Sequence, residues 1–219
     1  MRYDAILFDM DGTVVDSLQD IADAVNHTLR SFGEPERSRE EVRRFVGNGA
    51  EALIRRVLPP DAEEAYLQRV LAAYLPWYAA HCADRTRPFD GVVPLLRRLR
   101  KMGLKTAVIS NKPDAAAQGV AEAFFPELFD LTVGERPGVR RKPAPDMLQD
   151  AAARLGTALP RCLYVGDSEV DVETAKNAGI DCAAVSWGFR AREELERAGA
   201  KHIIDTPEAL ERFITEAQP

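Results

Sequence analysis

Two aspartates near the amino terminus, Asp9 and Asp11, are separated by one residue and have side chains that could do chemistry. Gly12 follows directly and allows the sharp turn that can direct both side chains into one crevice. Because two carboxylates held this close repel each other, a site that keeps both ionised favours a bound cation. An aspartate after a strand is also a common turn former or helix cap, so the pair alone indicates catalysis and local structure equally.

Further polar residues follow the apolar runs of the chain. Two groups come directly after predicted strands and one lies on a loop between them: Ser110-Asn111-Lys112, Gly166-Asp167-Ser168 with Asp171, and Lys142-Pro143. Ligands of an open parallel sheet bind beyond the carboxyl ends of its strands. The sequence therefore predicts that these groups and the first aspartates share one crevice.

Each residue type in this set suits one step of phosphate ester hydrolysis. A carboxylate can attack phosphorus and form an acyl phosphate that water then hydrolyses, and we assign this role to Asp9. Asp11 would protonate the leaving oxygen and then accept a proton from the attacking water. The Ser110 hydroxyl and the Lys142 ammonium would bind the phosphoryl oxygens and offset their charge.

A divalent metal completes the predicted site. Mg²⁺ prefers hard oxygen ligands, and we expect them from Asp9, Asp167 and the carbonyl oxygen of Asp11. Asp171 lies four positions after Asp167, and we expect it to contact and orient either a metal ligand or Lys142. Two simpler readings stay open: Ser168 and Asp171 as a helix-capping pair, and Lys142 as an exposed loop lysine. Three of the four polar groups lie at predicted strand ends and the fourth lies on a loop between them, and this coincidence favours the catalytic reading.

The elements that position these residues follow from the periodicity of the apolar residues. Residues 5–8 form a short apolar run that predicts a buried strand, and strands alternate with helices from residue 86 onward. This alternation is typical of a doubly wound parallel α/β sheet. Residues 17–85 show helical periodicity only. We therefore predict an α/β core of residues 1–16 and 86–219 with an inserted all-helical domain of residues 17–85.

The helical segment contains residues for which we predict a local structural role. Ser17 and Asp20 have the spacing of a capping pair at the start of its first helix. Pro76 is expected to interrupt the helical pattern of residues 61–81. The aromatic side chains of Trp77, Tyr78 and Phe89 are expected to serve packing rather than substrate binding.

The composition favours a globular protein and gives no sign of a nucleic-acid-binding, secreted or membrane-spanning one. The 219 residues are 46% hydrophobic, which is sufficient for a core, and the formal charge of -6 comes without a basic stripe for nucleic acid. The sequence shows neither a signal peptide nor an apolar stretch of about 20 residues that could cross a membrane. Its three cysteines form no CxxC pair, so we expect free thiols in a cytoplasmic protein. The expected partner is a small phosphate ester, and the protein itself is expected to be a monomer or homodimer.

The motifs together resemble the haloacid dehalogenase superfamily over essentially the whole chain. Asp9-Met10-Asp11-Gly12-Thr13 is similar to its first motif, Ser110 to its second, Lys142 to its third, and Gly166-Asp167-Ser168 with Asp171 to its fourth. The second aspartate resembles the phosphatase branch. Three segments within that branch are most similar to phosphoglycolate phosphatases: Val46-Gly47-Asn48-Gly49-Ala50, Ser110-Asn111-Lys112-Pro113 and Lys142-Pro143-Ala144-Pro145-Asp146.

The resemblance implies a Mg²⁺-dependent phosphatase with a helical cap, acting on 2-phosphoglycolate, with Thr13 and Asn111 among the substrate-binding residues. The phosphonatase branch needs a lysine in the cap, and residues 17–85 contain none. Two alternatives stay open. One is phosphoryl transfer to a sugar, as in a β-phosphoglucomutase, and the other is a sensor that carries a phosphorylated aspartate without turnover.

The helical segment is expected to recognise the leaving group. Gly47, Asn48 and Gly49 precede a predicted helix, and backbone amides at a helix start suit an anion such as a substrate carboxylate. Four arginines nearby are further candidates, although each could equally lie on a solvated helix face: Arg43, Arg44, Arg55 and Arg56.

Overall fold

A six-stranded parallel sheet runs through the structure, a computed structural model that describes residues 2–216. The strands in chain order are β1 (Ala5–Phe8), β2 (Val15–Asp16), β3 (Arg87–Pro88), β4 (Lys105–Pro113), β5 (Leu131–Glu135), β6 (Cys162–Gly166), β7 (Asp181–Val185) and β8 (His202–Ile204). The main sheet has the order β5-β4-β1-β6-β7-β8, whereas β2 and β3 form a separate antiparallel pair.

Strand β1 lies in the interior of the sheet and is buried on both faces. It pairs with β4 on one side and β6 on the other, with Phe8 opposite Val108 and Val165. Its residues alternate between two apolar clusters: Ile6 and Phe8 belong to one and Leu7 to the other. A strand buried on both faces needs a continuous apolar run, which is the pattern read from the sequence.

Helices cover both faces of this sheet. In chain order they are α1 (Leu18–Ser31), α2 (Arg39–Phe45), α3 (Gly49–Val57), α4 (Glu64–His81), α5 (Val92–Lys101), α6 (Asp114–Phe124), α7 (Asp146–Leu155), α8 (Glu169–Ala178), α9 (Arg192–Arg197) and α10 (Pro207–Thr215). Helices α7 and α8 pack on the Leu7 face, and α5, α6 and α10 pack on the Phe8 face. The prediction of a doubly wound α/β fold is confirmed.

Helices α1 to α4 are inserted between β2 and β3. Their buried apolar side chains, among them Val25, Ile54 and Tyr74, are continuous with the cluster on the Phe8 face of the sheet. The helical segment therefore packs on the α/β core and shares its apolar interior. None of the helices within residues 2–216 is both long enough and apolar enough to cross a membrane.

Two local predictions for this segment are wrong. Helix α4 continues through Pro76, because burial of neighbouring residues such as Tyr74 and Tyr78 compensates for the hydrogen bond that proline cannot donate. Ser17 and Asp20 do not form a capping pair: the Ser17 hydroxyl donates to Asp11 Oδ1 (2.5 Å), and Asp20 Oδ2 accepts from the backbone N–H and the hydroxyl of Thr86 (2.8 and 2.7 Å). Asp20 thus joins the start of the segment to its return toward β3.

Candidate active site

Asp9 follows β1 directly, and its carboxylate is held by one oxygen. Asp9 Oδ1 accepts from the backbone N–H of Met10 (2.7 Å) and from Lys142 Nζ (2.8 Å). Within residues 2–216 no hydrogen bond reaches Oδ2. Because Asp9 also lines a cavity between the strand ends and the inserted helices, this oxygen is available to a ligand there.

Asp11 shows the same division between its two oxygens. Its Oδ1 accepts from Ser17 Oγ (2.5 Å) and Lys112 Nζ (2.8 Å), and the described part of the chain supplies no hydrogen bond to Oδ2. The turn between the two aspartates depends on Gly12, whose φ is 88°. A Cβ at Gly12 would lie 2.2 Å from Asp167 Oδ2, so only glycine lets the first and fourth motifs approach this closely.

Lys142 is buried and uses all three of its N–H groups within the protein. Nζ donates to Asp9 Oδ1 (2.8 Å), Asp171 Oδ1 (2.8 Å) and the hydroxyl of Tyr164 (2.9 Å). The Tyr164 hydroxyl in turn donates to Asp171 Oδ1 (2.9 Å). The reading of Lys142 as an exposed loop lysine is therefore wrong, since its side chain is only 1% exposed.

Asp171 combines the two functions that the sequence left as alternatives. Its Oδ1 binds Lys142, and its Oδ2 accepts from the Ser168 hydroxyl (2.6 Å) and backbone N–H (3.1 Å), closing a capping box at the start of α8. Burial would raise the pKa of Asp171, but the Lys142 ammonium holds that pKa below its ordinary value. Asp171 is therefore a fixed anion that orients Lys142.

Negative charge exceeds positive charge around the remaining carboxylates. Burial, partly opposed by Lys142, raises the pKa of Asp9 to about 7. The pKa of Asp167 is also raised well above its ordinary value, first by burial and then by Asp171 and Asp9. Two groups that resist ionisation in this way indicate a place where an additional cation would be stabilising.

The donor set at this place fits a divalent metal. Carboxylate oxygens of Asp9, Asp167 and Asp171 lie within 4.8 Å of one another, and all three residues are buried. Both Asp171 oxygens already bind protein donors, whereas Asp9 Oδ2 does not. Asp167 accepts from Thr13 Oγ1 (3.2 Å) and from the backbone N–H of Phe189 (2.6 Å), which fix its carboxylate in orientation. Hard oxygen ligands of this kind suit Mg²⁺.

Ser110 and Asn111 lie in the buried carboxyl-terminal part of β4 and differ in what they contact. Ser110 Oγ accepts from the backbone N–H of Lys112 (3.2 Å) and lines the cavity, so its own hydrogen can reach a ligand. The Asn111 amide is used by the protein: Nδ2 donates to the carbonyls of Gly47 (3.1 Å) and Lys142 (3.0 Å), and Oδ1 accepts from the backbone N–H of Lys142 (2.9 Å). Asn111 thus connects the Lys142 loop to the start of α3.

A cavity of about 490 Å³, part of it open to solvent, separates the strand ends from the inserted helices. Its polar side is formed by Lys142, from the loop between β5 and α7, and by residues at the strand ends, namely Asp9, Asp11, Ser110, Asn111 and Lys112. Its opposite side is formed mainly by residues of the helical segment, namely Ile21, Val46, Ala50, Leu53, Tyr74 and Tyr78. This size suits a small molecule.

The expected recognition residues of the helical segment divide into two groups. Gly47 and Gly49 line the cavity, but Asn48 does not, and its side chain accepts from Arg56 (2.7 Å). None of the four candidate arginines lines this cavity. Each instead binds a protein oxygen nearby: Arg43 contacts Phe189 and Glu40, Arg44 contacts Glu40, Arg55 contacts Glu51 and Glu64, and Arg56 contacts Phe45 and Asn48.

Sequence reasoning placed Lys112 in the predicted crevice without a role, and it missed Tyr78 as a cavity residue and Arg190 as an interface residue. Lys112 and Tyr78 contact each other across the cavity, although Tyr78 was expected to serve packing only. Arg190 is buried between the core and the helical segment, where it donates to Glu169 Oε2 and to the carbonyl oxygens of Arg43 and Val46 (2.8 Å each). The strand-end position of Lys112 was the available signal, whereas Arg190 offered none.

Comparison with known proteins gives concordant results. A family model described as haloacid dehalogenase-like hydrolase matches residues 6–185. Phosphoglycolate phosphatase of Pseudomonas putida is 33% identical over 94% of this chain and 77% of its own length. N-acetylmuramic acid 6-phosphate phosphatase of Pseudomonas aeruginosa is 32% identical over 96% of this chain and 94% of its own. The crystal structure of a candidate phosphoglycolate phosphatase from Lactobacillus delbrueckii subsp. bulgaricus superposes with a TM-score of 0.93 at 38% identity, covering 98% of this chain and 99% of that one.

Proposed function

The chain belongs to the haloacid dehalogenase-like hydrolase family, and we propose on that premise that it is a Mg²⁺-dependent phosphomonoesterase of 2-phosphoglycolate. The observation that carries the proposal is the paired arrangement of two carboxylates. Asp9 and Asp11 each have one oxygen fixed by a lysine, while the other oxygen has no hydrogen bond within residues 2–216. A nucleophile and an acid need this combination of fixed orientation and open reactive atom.

In the first half-reaction Asp9 Oδ2 attacks phosphorus, the bond from phosphorus to the ester oxygen breaks, and Asp11 gives its proton to that oxygen. The products are the alcohol and a phosphoaspartate. Lys142 fixes Asp9 through Oδ1 and places its ammonium charge beside the phosphoryl group. The Ser110 hydroxyl supplies a hydrogen-bond donor to a phosphoryl oxygen.

In the second half-reaction a water molecule attacks the phosphoaspartate. Asp11 accepts the proton of this water, the acyl phosphate bond breaks, and Asp9 and inorganic phosphate are released. Since Asp11 first gives and then receives a proton, it needs an environment that tolerates both states. Its Oδ2 has no hydrogen bond within the described chain and is therefore the oxygen available for giving and receiving this proton.

Asp9, Asp167 and the carbonyl oxygen of Asp11 would hold Mg²⁺, which supplies electrostatic stabilisation of the phosphoryl charge. Thr13 orients Asp167 through its hydroxyl rather than lining the cavity. Asp171 acts on Lys142. We propose residues 17–85 as the cap that excludes bulk water, with Gly47 and Gly49 at its edge of the cavity and Asn111 joining it to the core.

The relatives' names leave two candidate substrates. The name of the P. putida relative supports 2-phosphoglycolate, and that of the P. aeruginosa relative supports N-acetylmuramic acid 6-phosphate as the second candidate. Both compounds are phosphate esters that carry a carboxylate. The apolar wall formed by Val46, Ala50 and Leu53 offers no side-chain hydrogen bonds to sugar hydroxyls, and this favours the smaller compound.

A kinetic panel tests this proposal. We expect kcat/KM for 2-phosphoglycolate to exceed that for N-acetylmuramic acid 6-phosphate and glucose 6-phosphate by about 10-fold or more. Removal of metal with EDTA should lower turnover by about 100-fold or more, and added Mg²⁺ should restore it. Equal amounts of glycolate and inorganic phosphate would distinguish hydrolysis from transfer to a sugar. Failure to hydrolyse any of the three esters with Mg²⁺ present would contradict the proposed activity.

Metal binding has a separate signature in stability. Burial raises the pKa of Asp9 from 3.8 to about 7, so the metal-free native state retains a proton that the unfolded chain releases. The free energy of unfolding of the metal-free protein should therefore fall as pH rises across this interval. Asp167, with its raised pKa, acts in the same direction. Mg²⁺ competes with these protons, so its stabilisation should be larger at pH 8 than at pH 5.

The measurement is the melting temperature with and without Mg²⁺ at the two pH values, with NaCl at equal ionic strength as the control. We expect an increase of several degrees at pH 8 and about a third of it or less at pH 5. The Asp167→Asn variant should lose most of the increase at pH 8. An increase that is independent of pH, or that survives this substitution, would argue against a metal held by these carboxylates.

A further inference from the structure

Lys112 is a buried cation that the reaction described above uses only to fix Asp11 Oδ1. Its side chain is 1% exposed and lies at the end of β4, where Nζ donates to Asp11 Oδ1 (2.8 Å) and to the hydroxyl of Tyr78. Burying an ammonium costs several kcal/mol unless it is paired. Asp11 supplies that pairing from the core, and Tyr78 contacts the same group from helix α4 of the inserted segment.

Lys112 and Lys142 differ in how many of their N–H groups the protein uses. An ammonium has three N–H groups. Lys142 donates all three to Asp9, Asp171 and Tyr164. Lys112 uses two of its three within the described part of the chain, so one remains for a ligand. Lys112 is thus the cavity lysine with an unused donor.

Tyr78 contributes a second donor at the same place. Its hydroxyl oxygen accepts from Lys112 Nζ, and within residues 2–216 its own hydrogen has no acceptor. Burial raises the pKa of the Tyr78 phenol far above its ordinary value, so the hydroxyl keeps this hydrogen at neutral pH. Because both side chains line the cavity and their polar atoms touch, the two unused hydrogens lie close enough to reach one acceptor group.

The remaining wall of the cavity limits what this acceptor can be. Apart from Tyr74, the helical side chains around Tyr78 are apolar, as Ile21, Ala50 and Leu53 illustrate. A polyhydroxylated group would lose its hydrogen bonds to water against such a wall. A compact anion that accepts from both donors at once would not, and a carboxylate has two oxygens at the required spacing.

We propose that Lys112 and Tyr78 together bind a carboxylate of the substrate's leaving group, attached to the carbon that carries the ester oxygen. The proposal rests on the proposed function, because Asp11 must act on that ester oxygen. Lys112 Nζ and the ester oxygen would then both lie within hydrogen-bonding reach of the Asp11 carboxylate. A carboxylate on the carbon that carries the ester oxygen can therefore reach Lys112 while that oxygen is at Asp11. A charged group several carbons from the ester oxygen cannot. Lys112 and Tyr78 therefore determine specificity for short phosphorylated 2-hydroxy acids.

The test compares two esters that differ only at this carboxylate. In 2-hydroxyethyl phosphate a hydroxymethyl group replaces the carboxylate of 2-phosphoglycolate. We define the preference as the ratio of kcat/KM for 2-phosphoglycolate to that for 2-hydroxyethyl phosphate. Lys112→Met should lower this ratio by about 30-fold or more, and Tyr78→Phe by about 5- to 10-fold, chiefly through the KM for 2-phosphoglycolate.

Tyr66→Phe is the matched control, because Tyr66 is on the same helix as Tyr78 but does not line the cavity. The substitution removes a hydroxyl that donates to Glu34 (2.7 Å). Its ratio should equal that of the wild type. If Lys112→Met fails to fold, Tyr78→Phe decides the question, since it keeps the buried ring. An unchanged ratio in the variants, with turnover of both esters lowered equally, would overturn the proposal and leave Lys112 as a positioning residue for Asp11.

The wild-type measurement separates this inference from the proposed function. A wild-type enzyme that hydrolyses neither ester refutes the proposed phosphomonoesterase. One that hydrolyses both equally refutes carboxylate recognition alone. One that prefers 2-phosphoglycolate, with the preference lost in Lys112→Met and Tyr78→Phe, supports both.

Discussion

The Asp9→Asn variant is expected to fold like the wild type and to hydrolyse 2-phosphoglycolate about 10⁴-fold more slowly or worse. The substitution keeps the shape of the side chain, and Oδ1 can still accept from Met10 and Lys142. It removes the anionic oxygen that forms the bond to phosphorus. Phosphate release measured under saturating Mg²⁺ gives the rate, and circular dichroism with a melting curve checks the fold.

Asp4→Asn provides the matched control for this substitution. Asp4 lies just before β1, is largely exposed and pairs with Arg161 outside the cavity. Its turnover should stay within about 2-fold of the wild type, because surface ion pairs contribute little. Mass spectrometry of rapidly quenched enzyme should detect one phosphoryl group on the peptide that contains Asp9, and none in Asp9→Asn. Turnover above about a tenth of the wild-type value in Asp9→Asn would disprove the role of nucleophile.

Lys142→Met should lower both stability and turnover. Methionine fills much of the same space but leaves Asp9 and Asp171 buried without their cation. Removing one partner of a buried ion pair costs about 3–5 kcal/mol in the free energy of unfolding. Turnover should fall by about 10³-fold or more, since Asp9 loses the ammonium that opposes the effect of burial on its pKa.

The pH dependence of stability distinguishes this mechanism from simple loss of packing. Without Lys142 the pKa values of Asp9 and Asp171 should both rise, so the variant's native state retains protons that the unfolded chain has released. Its deficit in free energy of unfolding should therefore be larger at pH 8 than at pH 5. Urea denaturation at both pH values measures this, with the exposed Lys201→Met as control. A deficit that is equal at both pH values would indicate lost packing alone.

The sequence predicts the strand-end residues of the site because sheet topology does most of the positioning. A parallel sheet brings the carboxyl ends of its strands to one edge, so the short apolar runs before Asp9, Ser110 and Asp167 were enough to place these residues together. The same reasoning predicted the helical insertion, because the periodicity changes after Asp16 and changes back near residue 86.

Contacts between distant segments were not predictable in this way. Lys112 and Asp11 are 101 positions apart, and Arg190 and Arg43 are 147 apart, so no local pattern records their proximity. The error at Ser17 has a related cause: its hydroxyl could cap a helix or bind Asp11, and the tertiary site determined the outcome. Pattern reasoning identifies which residues end an element, but it cannot choose among partners that folding brings near.

Asn111 has a consequence for the opening of the site. Its amide makes two hydrogen bonds to the Lys142 loop and one to Gly47 at the start of α3. A displacement of α3 that admitted substrate would break the bond to Gly47 and leave both bonds to the Lys142 loop intact. The lysine would stay aligned on Asp9 throughout, so the nucleophile is preorganised before the substrate arrives, and only the recognition half of the cavity has to reassemble around it.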